Sequence, residues 1–263
     1  MLKLSGLFAA AVLLVAVATV RAETVSSIEI RGLLPEQEAN VRRRLSLSEL
    51  IGRELGEQRF DYLLLEAERE TRQALEPFGY FSPEIRITPP PGGDGALLIE
   101  VSPGEPVRVR HAKVEVGGEG AQDPVLQAAV ASFAPAPGAV FDQVQYETSK
   151  ARVFRGLTDR GYFDAEFASH RVEVRRAEHA ADISLAWSSG RRYALGAVEY
   201  EQLPEEILDH DVLAKIITWE AGTPFEQARL DELRESLSRL DYFGGIEVAA
   251  QPERARDGAV PVQ

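Results

Sequence analysis

The sequence predicts an α+β chain of three tandem βααββ units, each a three-stranded sheet covered on one face by two helices. Markers recurring at nearly one interval predict it, because self-similarity at a fixed period is the signature of a repeated supersecondary unit. Ile28-Glu29-Ile30, Val114-Glu115-Val116 and Val198-Glu199-Tyr200 share the form apolar-Glu-apolar and begin 86 and then 84 positions apart. Gly79-Tyr80-Phe81, Gly161-Tyr162-Phe163 and Asp241-Tyr242-Phe243 recur 82 and then 80 positions apart. Phe60, Phe141 and Phe225 fall between these two markers, each at the start of a helical stretch that runs on to the Tyr-Phe pair.

The elements follow from local pattern. An early helix is predicted in each unit, over residues 35–47, 123–133 with Pro124 at its first position, and 204–219. For the second helix of the third unit, Leu230, Leu233, Leu237 and Leu240 have a 3-4-3 spacing that lays four leucines along one face. Thr223-Pro224-Phe225-Glu226 reads as its capping box, with proline where a missing N–H costs nothing. Asp142 and Gln145 offer the second unit the same pair of caps. In the first unit the stripe is Leu64, Ala67, Thr71, Leu75 and Phe78, and Gly79, like Gly161, stands where a left-handed helix end belongs.

Extended segments follow the Tyr-Phe pair. Leu97, Ile99 and Val101, and again Ile183, Leu185 and Trp187, alternate with period two and mark strands with one buried face. The strands before them are residues 84–88 and 165–175. In the latter, Ala165 and Phe167 share one parity and Val172 and Val174 the other, which a single β-bulge reconciles. Gly92-Gly93-Asp94-Gly95 follows three prolines and reads as a hairpin loop. The links Ser102-Pro103-Gly104-Glu105-Pro106 and Ser188-Ser189-Gly190 are short, so neighbouring units are expected to touch. The resulting division is a leader at 1–22 and units at 23–104, 105–189 and 190–263, the last ending inside its final strand.

Residues 1–22 carry one early lysine, Lys3, an apolar run from Leu4 to Val20, and a small-x-small close at Val20-Arg21-Ala22, the form of a cleavable secretory leader. An uncleaved anchor is the competing reading, but only three residues precede the run. The chain has no cysteine, which excludes disulfides and thiolate metal sites. Its formal charge is −13, or −15 without Lys3 and Arg21, which repels nucleic-acid phosphate.

The βααββ order and the Gly-Tyr-Phe turn entering the second strand resemble the polypeptide-transport-associated (POTRA) domains of the Omp85 superfamily, over residues 23–263. Three such units after a leader are most similar to the TamA branch, the outer-membrane subunits of translocation and assembly modules. The resemblance implies the periplasmic portion of an outer-membrane protein, a membrane β-barrel beyond the third unit as the sole membrane contact, and no nucleic acid. It implies two kinds of partner: a TamB-like inner-membrane-anchored protein, and unfolded outer-membrane or autotransporter clients. The third unit departs from the motif with Asp241 in place of glycine.

No catalytic constellation is legible. His111, His170, His179 and His210 lie far apart with no metal-site spacing, and neither a nucleophile elbow nor a phosphate loop is present. The chain is therefore expected to be no enzyme and to hold no cofactor or metal. The residues singled out are Gly79, Tyr80, Phe81, Gly161, Tyr162, Phe163, Tyr242 and Phe243 as packed structural turns, and Glu84, Ile85, Arg86, Ile87 and Thr88 as a candidate binding edge. Pro83 and Pro89 flank that last strand and are tolerated at edges rather than in central strands. An edge presents unpaired backbone groups that accept a strand from another polypeptide. The expected role is a periplasmic docking arm acting by β-augmentation; the alternatives are another Omp85-type transporter or an anchored cell-division protein. Arg42-Arg43-Arg44, Arg175-Arg176 and Arg191-Arg192 are read as solvated faces or interdomain ion pairs.

Overall fold

The computed structural model describes residues 22–91 and 94–263, so the body of the predicted leader and Gly92-Gly93 of the predicted loop lie outside the described residues. Two compact units form among the described residues: one takes in the chain from Ala22 to Ala74 together with Glu84–Ser102, the other Leu75–Pro83 with Pro103–Gln263.

In the first unit, β1 (Ala22–Arg31), α1 (Pro35–Arg44), β2 (Glu54–Gly56), α2 (Glu57–Leu75), β3 (Glu84–Thr88) and β4 (Asp94–Ser102) make a sheet of order β2-β1-β4-β3. The sheet has four strands rather than the expected three, because Glu54–Gly56 pairs antiparallel with the start of β1. Three residues are too few to show a period of two. β4 is central, parallel to β1 and antiparallel to β3, and its Leu97, Ile99 and Val101 are buried as their alternation predicts. Asp94 and Gly95 already pair with β1, so they belong to a strand and not to a hairpin loop. The buried stripe of α2 begins at Phe60 and Leu63 and continues through Ala67, Thr71, Ala74 and Leu75. Leu64 and Phe78, assigned to that stripe from spacing, are only half-buried: Leu63 takes the buried place beside Leu64, and Phe78 lies beyond α2 in a 3-10 turn.

The second unit continues with β5 (Arg108–Gly117), α3 (Pro124–Ala131), α4 (Gln143–Asp159), β6 (Glu166–Arg175) and β7 (Ala180–Ser188), in a sheet of order β5-β7-β6. Its core joins Ile183, Leu185 and Trp187 to Leu126, Phe141, Tyr146, Val153 and Leu157. The predicted bulge is present, between Phe167 and Ser169. Asp142 caps α4 by accepting from the Gln145 N–H at 2.9 Å. The Gln145 side chain, however, donates to the Asp142 carboxylate instead of reaching back for its backbone.

A third repeat, in the same unit, comprises β8 (Ala194–Val198), α5 (His210–Ala214), α6 (Gln227–Ser238) and β9 (Ala259–Val262), with β8 and β9 parallel. Residues 249–251 run antiparallel along the other side of β9, through Ala249 N to Gln263 O at 2.8 Å and Gln251 N to Pro261 O at 2.9 Å. Leu230, Leu233 and Leu237 are buried, while Leu240 lies beyond the helix end and is exposed. Two expectations fail in this repeat. The early helix spans only five residues instead of 204–219. Thr223-Pro224 is not a helix cap: the Thr223 carbonyl accepts from Leu195 N–H at 2.8 Å and Pro224 bridges to Ala194, which keeps the pair extended, so α6 starts later, behind Glu226.

That bridge repeats. The antiparallel contact before the second helix is β1–β2 in the first repeat, Arg108 with Val140 in the second and Ala194 with Pro224 in the third. It sets Leu55, Phe141 and Phe225 in equivalent places, each buried. Their separations are 86 and 84, the period of the first-strand marker. Phe60 is thus out of register, five residues past Leu55 and the fourth residue of α2.

Just upstream lies a recurring glycine that sequence reading passed over. Gly52, Gly138 and Gly222 share the 86 and 84 spacing and all have positive φ, at 77°, 86° and 90°. Their N–H groups donate to Val25 O, Val109 O and Leu195 O at 2.8, 2.7 and 2.9 Å. Each acceptor sits where the register of its strand shifts. A bulge breaks ladder pairing, and the left-handed turn supplies the donor for the carbonyl beside it. Nothing lies within 4 Å of a Cβ built on any of the three, so φ alone demands glycine. Gly138→Ala is expected to cost about 1 kcal/mol in urea unfolding and Gly138→Asn less, since Asn tolerates the left-handed region.

Candidate functional site

Two surfaces are the candidates: the open sheet edges, and the joint formed where an aromatic turn meets the next repeat.

The edges come from topology. β3 ends the first sheet and β6 the second, and residues 249–251 flank β9 on the side away from β8. In each repeat this is the segment that follows the aromatic turn. Glu84, Arg86 and Thr88 of β3 are exposed, while Ile85 and Ile87 are half-buried against the sheet. On β6, Phe167 is exposed, with its ring stacked on His170 at 4.6 Å and tilted against Trp187 at 5.1 Å.

The joint starts from the turn. Gly161 ends its helix with φ 82°, and its carbonyl accepts from Tyr193 N–H at 2.9 Å. The Tyr193 carbonyl in turn accepts from Phe225 N–H at 2.9 Å. A Cβ on Gly161 would lie 2.7 Å from Phe225 Cβ and 3.1 Å from Tyr193 O, so the approach admits no side chain. Within the same unit Gly79 repeats the arrangement: Val107 N–H donates to its carbonyl at 2.8 Å, Phe141 N–H donates to Val107 O at 2.8 Å, and a Cβ would lie 2.8 Å from Val140 Cγ1.

The aromatics after each glycine divide their work. Tyr162 is 4% exposed in its own core, whereas Phe163 packs into the third core, edge-on to Phe225 at 4.8 Å and Tyr193 at 5.7 Å. Phe81 likewise packs against the second core, under the Arg176 guanidinium at 5.8 Å, and Tyr80 is half-buried. The pair therefore packs two cores rather than one. Tyr242 differs: it is 59% exposed, and Phe243 is half-buried. Asp241 nevertheless holds a left-handed φ of 57°, which aspartate tolerates.

Charge reinforces the second joint. Arg160 donates to Asp123 Oδ2 at 2.9 Å and to Glu226 Oε1 at 2.6 Å, tying the N-cap of α3 to the N-cap of α6. Arg192 donates to the Arg160 carbonyl at 2.9 Å and to Glu226 at 3.4 Å, and its own N–H donates to Glu119 at 2.8 Å. Arg191 lies over the Tyr193 ring at 4.6 Å. Burial works to raise the pKa of Asp123, but the Arg160 guanidinium and the Val125 N–H outweigh it and hold the carboxyl below its ordinary value. Arg160 escaped the sequence reading because a lone arginine at a helix end carries no local signal; its partners are 37 and 66 residues away.

The histidines stay apart. His111 contacts Asp182 at 2.9 Å, His179 occupies a left-handed turn, and His210 lies 5.8 Å from the Tyr200 ring. Among the described residues no group of three His, Cys, Asp or Glu could hold a metal ion, and no helix is long and apolar enough to cross a membrane.

Residues 27–103 match the family model for POTRA domain, TamA domain 1. The solved Haemophilus influenzae BamA POTRA3-5 is similar over 92% of this chain and 95% of its own, with a TM-score of 0.50 at 16% identity. The chain is a tandem of POTRA folds. POTRA1-3 of the periplasmic domain of Omp85 from Anabaena is also similar, over 93% of this chain and 95% of its own, at 15% identity and a TM-score of 0.36. In this POTRA tandem the aromatic turn is the joint, and the strand that leaves it is the edge.

Gly161→Ala is expected to destabilise the second unit by about 2 kcal/mol or more, since left-handed strain and overpacking add, and thus by more than Gly138→Ala. Arg160→Met, which strands a buried carboxylate, is expected to cost about 3 kcal/mol at neutral pH. Because the folded pKa of Asp123 is lowered, its stabilisation is complete above the ordinary carboxylate value and is lost as pH falls through the folded one. The gap between wild type and Arg160→Met in urea unfolding should therefore narrow below about pH 4.

Proposed function

We propose that this chain is the periplasmic polypeptide-binding and docking arm of an Omp85-type outer-membrane assembly factor of the TamA branch. The observation that carries the reading is the repeated edge: in the sheets of both units the strand leaving the aromatic turn has a neighbour on one side only. Backbone pairing along such an edge requires no particular client sequence, which suits a module that receives many unfolded chains. The branch is favoured by the family match over the first repeat. Three modules, at 23–104, 105–189 and 190–263, would then stand in series, with a TamB-like inner-membrane-anchored protein and unfolded outer-membrane or autotransporter strands as partners.

The net charge of −13 bears on which clients bind tightly, because a negative surface attracts cationic segments and speeds their encounter. Titration of the isotope-labelled chain with peptides from unfolded outer-membrane strands is expected to shift backbone amide resonances along Glu84–Thr88 and Glu166–Arg175. Silence at both strands under saturating peptide would sink the edge mechanism.

A further inference from the structure

The second sheet has two outer strands, β6 and β5, and β5 presents a regular free side. From His111 to Gly117 its register with β7 runs without interruption. Ser189 N–H donates to the Gly117 carbonyl at 3.0 Å, so Gly117 faces β7. Backbone direction alternates along a strand, so Glu115 and Lys113 face β7 as well, whereas Ala112, Val114 and Val116 turn their N–H and C=O groups outward. Among the described residues no backbone–backbone hydrogen bond meets those three from outside. The chain's own antiparallel segment reaches only the start of the strand, where Gly138 N–H donates to Val109 O at 2.7 Å.

The equivalent strand of the first repeat is closed. There β2 pairs with the start of β1, and further along the Arg42 guanidinium donates to the Ile28 carbonyl at 2.9 Å. Val114 stands 86 positions after Ile28, but α3 ends without a basic residue that could serve it in the same way. Charged side chains often blunt an open edge, since a lysine on each of two copies repels. On β5 the charges have another order. Lys113 and Glu115 share the face away from the helices, 3.0 Å apart and 72% and 51% exposed. Such an exposed pair contributes little by itself. Placed symmetrically about Val114, however, it becomes its own complement when the strand is reversed.

We infer that the β5 edge pairs with a second copy of this chain, antiparallel about Val114, joining two three-stranded sheets into one continuous sheet. In that register Val114 lies opposite Val114 of the second copy, and Ala112 opposite Val116. All of these face outward, so they form the hydrogen-bonded pairs of the new ladder. Lys113 falls opposite Glu115 and Glu115 opposite Lys113, at the non-hydrogen-bonded positions where side chains approach most closely. On the helix-covered face the half-buried Ala112, Val114 and Val116 continue as one apolar row across the contact, beside α3, which has no charged residue. The contact is isologous and closes at two copies, because each edge is used up by its twin. It does not rest on the polypeptide-binding reading, since β3 and β6 stay free.

Sedimentation equilibrium of the full chain is expected to show a reversible monomer–dimer equilibrium, and hydrogen exchange of the Ala112, Val114 and Val116 amides should slow as concentration rises. Lys113→Glu, and separately Glu115→Lys, sets like charges opposite one another and should weaken dimerisation about tenfold or more with the thermal unfolding midpoint unchanged. Lys113→Glu together with Glu115→Lys recreates opposite pairs and should return the wild-type constant. An equimolar mixture of the two single variants should associate more tightly than either alone. A chain that stays monomeric up to ~1 mM overturns the pairing. So does an association indifferent to the single reversals, or one that the double exchange fails to restore. Strand peptides that shift Ala112, Val114 and Val116 in a chain that stays monomeric also overturn it, by giving the edge another occupant. The polypeptide-binding role is read separately, from peptide shifts on Glu84–Thr88 or Glu166–Arg175, so either reading can fail while the other stands.

Discussion

Gly161 sits where a helix ends, a strand begins and the next repeat arrives, and the absence of a side chain there permits all three. Its left-handed φ reverses the chain, its carbonyl receives the Tyr193 N–H, and the space a Cβ would fill is occupied by Phe225. Everything around it follows from that closeness. Phe163 can reach the third core because the turn lies against it, and Arg160, one residue before, can bridge Asp123 and Glu226 because two helix starts are brought within one guanidinium's span. A guanidinium suits this place: its fork serves two carboxylates at once, and a buried carboxylate without it would be costly.

The contrast with the third turn is instructive. Asp241 reproduces the backbone conformation of Gly161 but has a Cβ, which the Gly161 kind of approach does not admit. Tyr242 is open to solvent, where Tyr162 is buried in its own core. Backbone conformation and docking are thus separable requirements at one position: the turn needs a residue that tolerates positive φ, and only the joint needs glycine.

The edges and joints also depend on one another. The Gly79 and Gly161 turns each use their carbonyl to hold the residue just before the next repeat's first strand, and the following segment leaves along the outer side of its own sheet. Central strands β4 and β7 are paired on both sides and buried on alternate residues, so the outer strand is the one left with unpaired backbone.

Much of this was legible in the residues alone. Period and order are local: apolar-Glu-apolar, the glycine before Tyr-Phe and the alternation at Leu97, Ile99 and Val101 each follow from a few adjacent side chains, and together they specify a repeated α+β unit, its buried strand faces and the bulge near Phe167. The glycine at 52, 138 and 222 was equally readable, at the same 86 and 84 spacing, and would have replaced Phe60 as the sound third marker. What the tertiary structure alone decided concerns partners distant in sequence. Thr223-Pro224 has the composition of a helix cap, yet pairing with Ala194 and Leu195 holds it extended, because satisfied backbone hydrogen bonds outweigh a local preference. Whether an aromatic packs in its own core or the next one, and whether a lone Arg160 is solvated or bridges two helix starts, depends on which repeat lies against it. That contact has no period and leaves no mark along the chain.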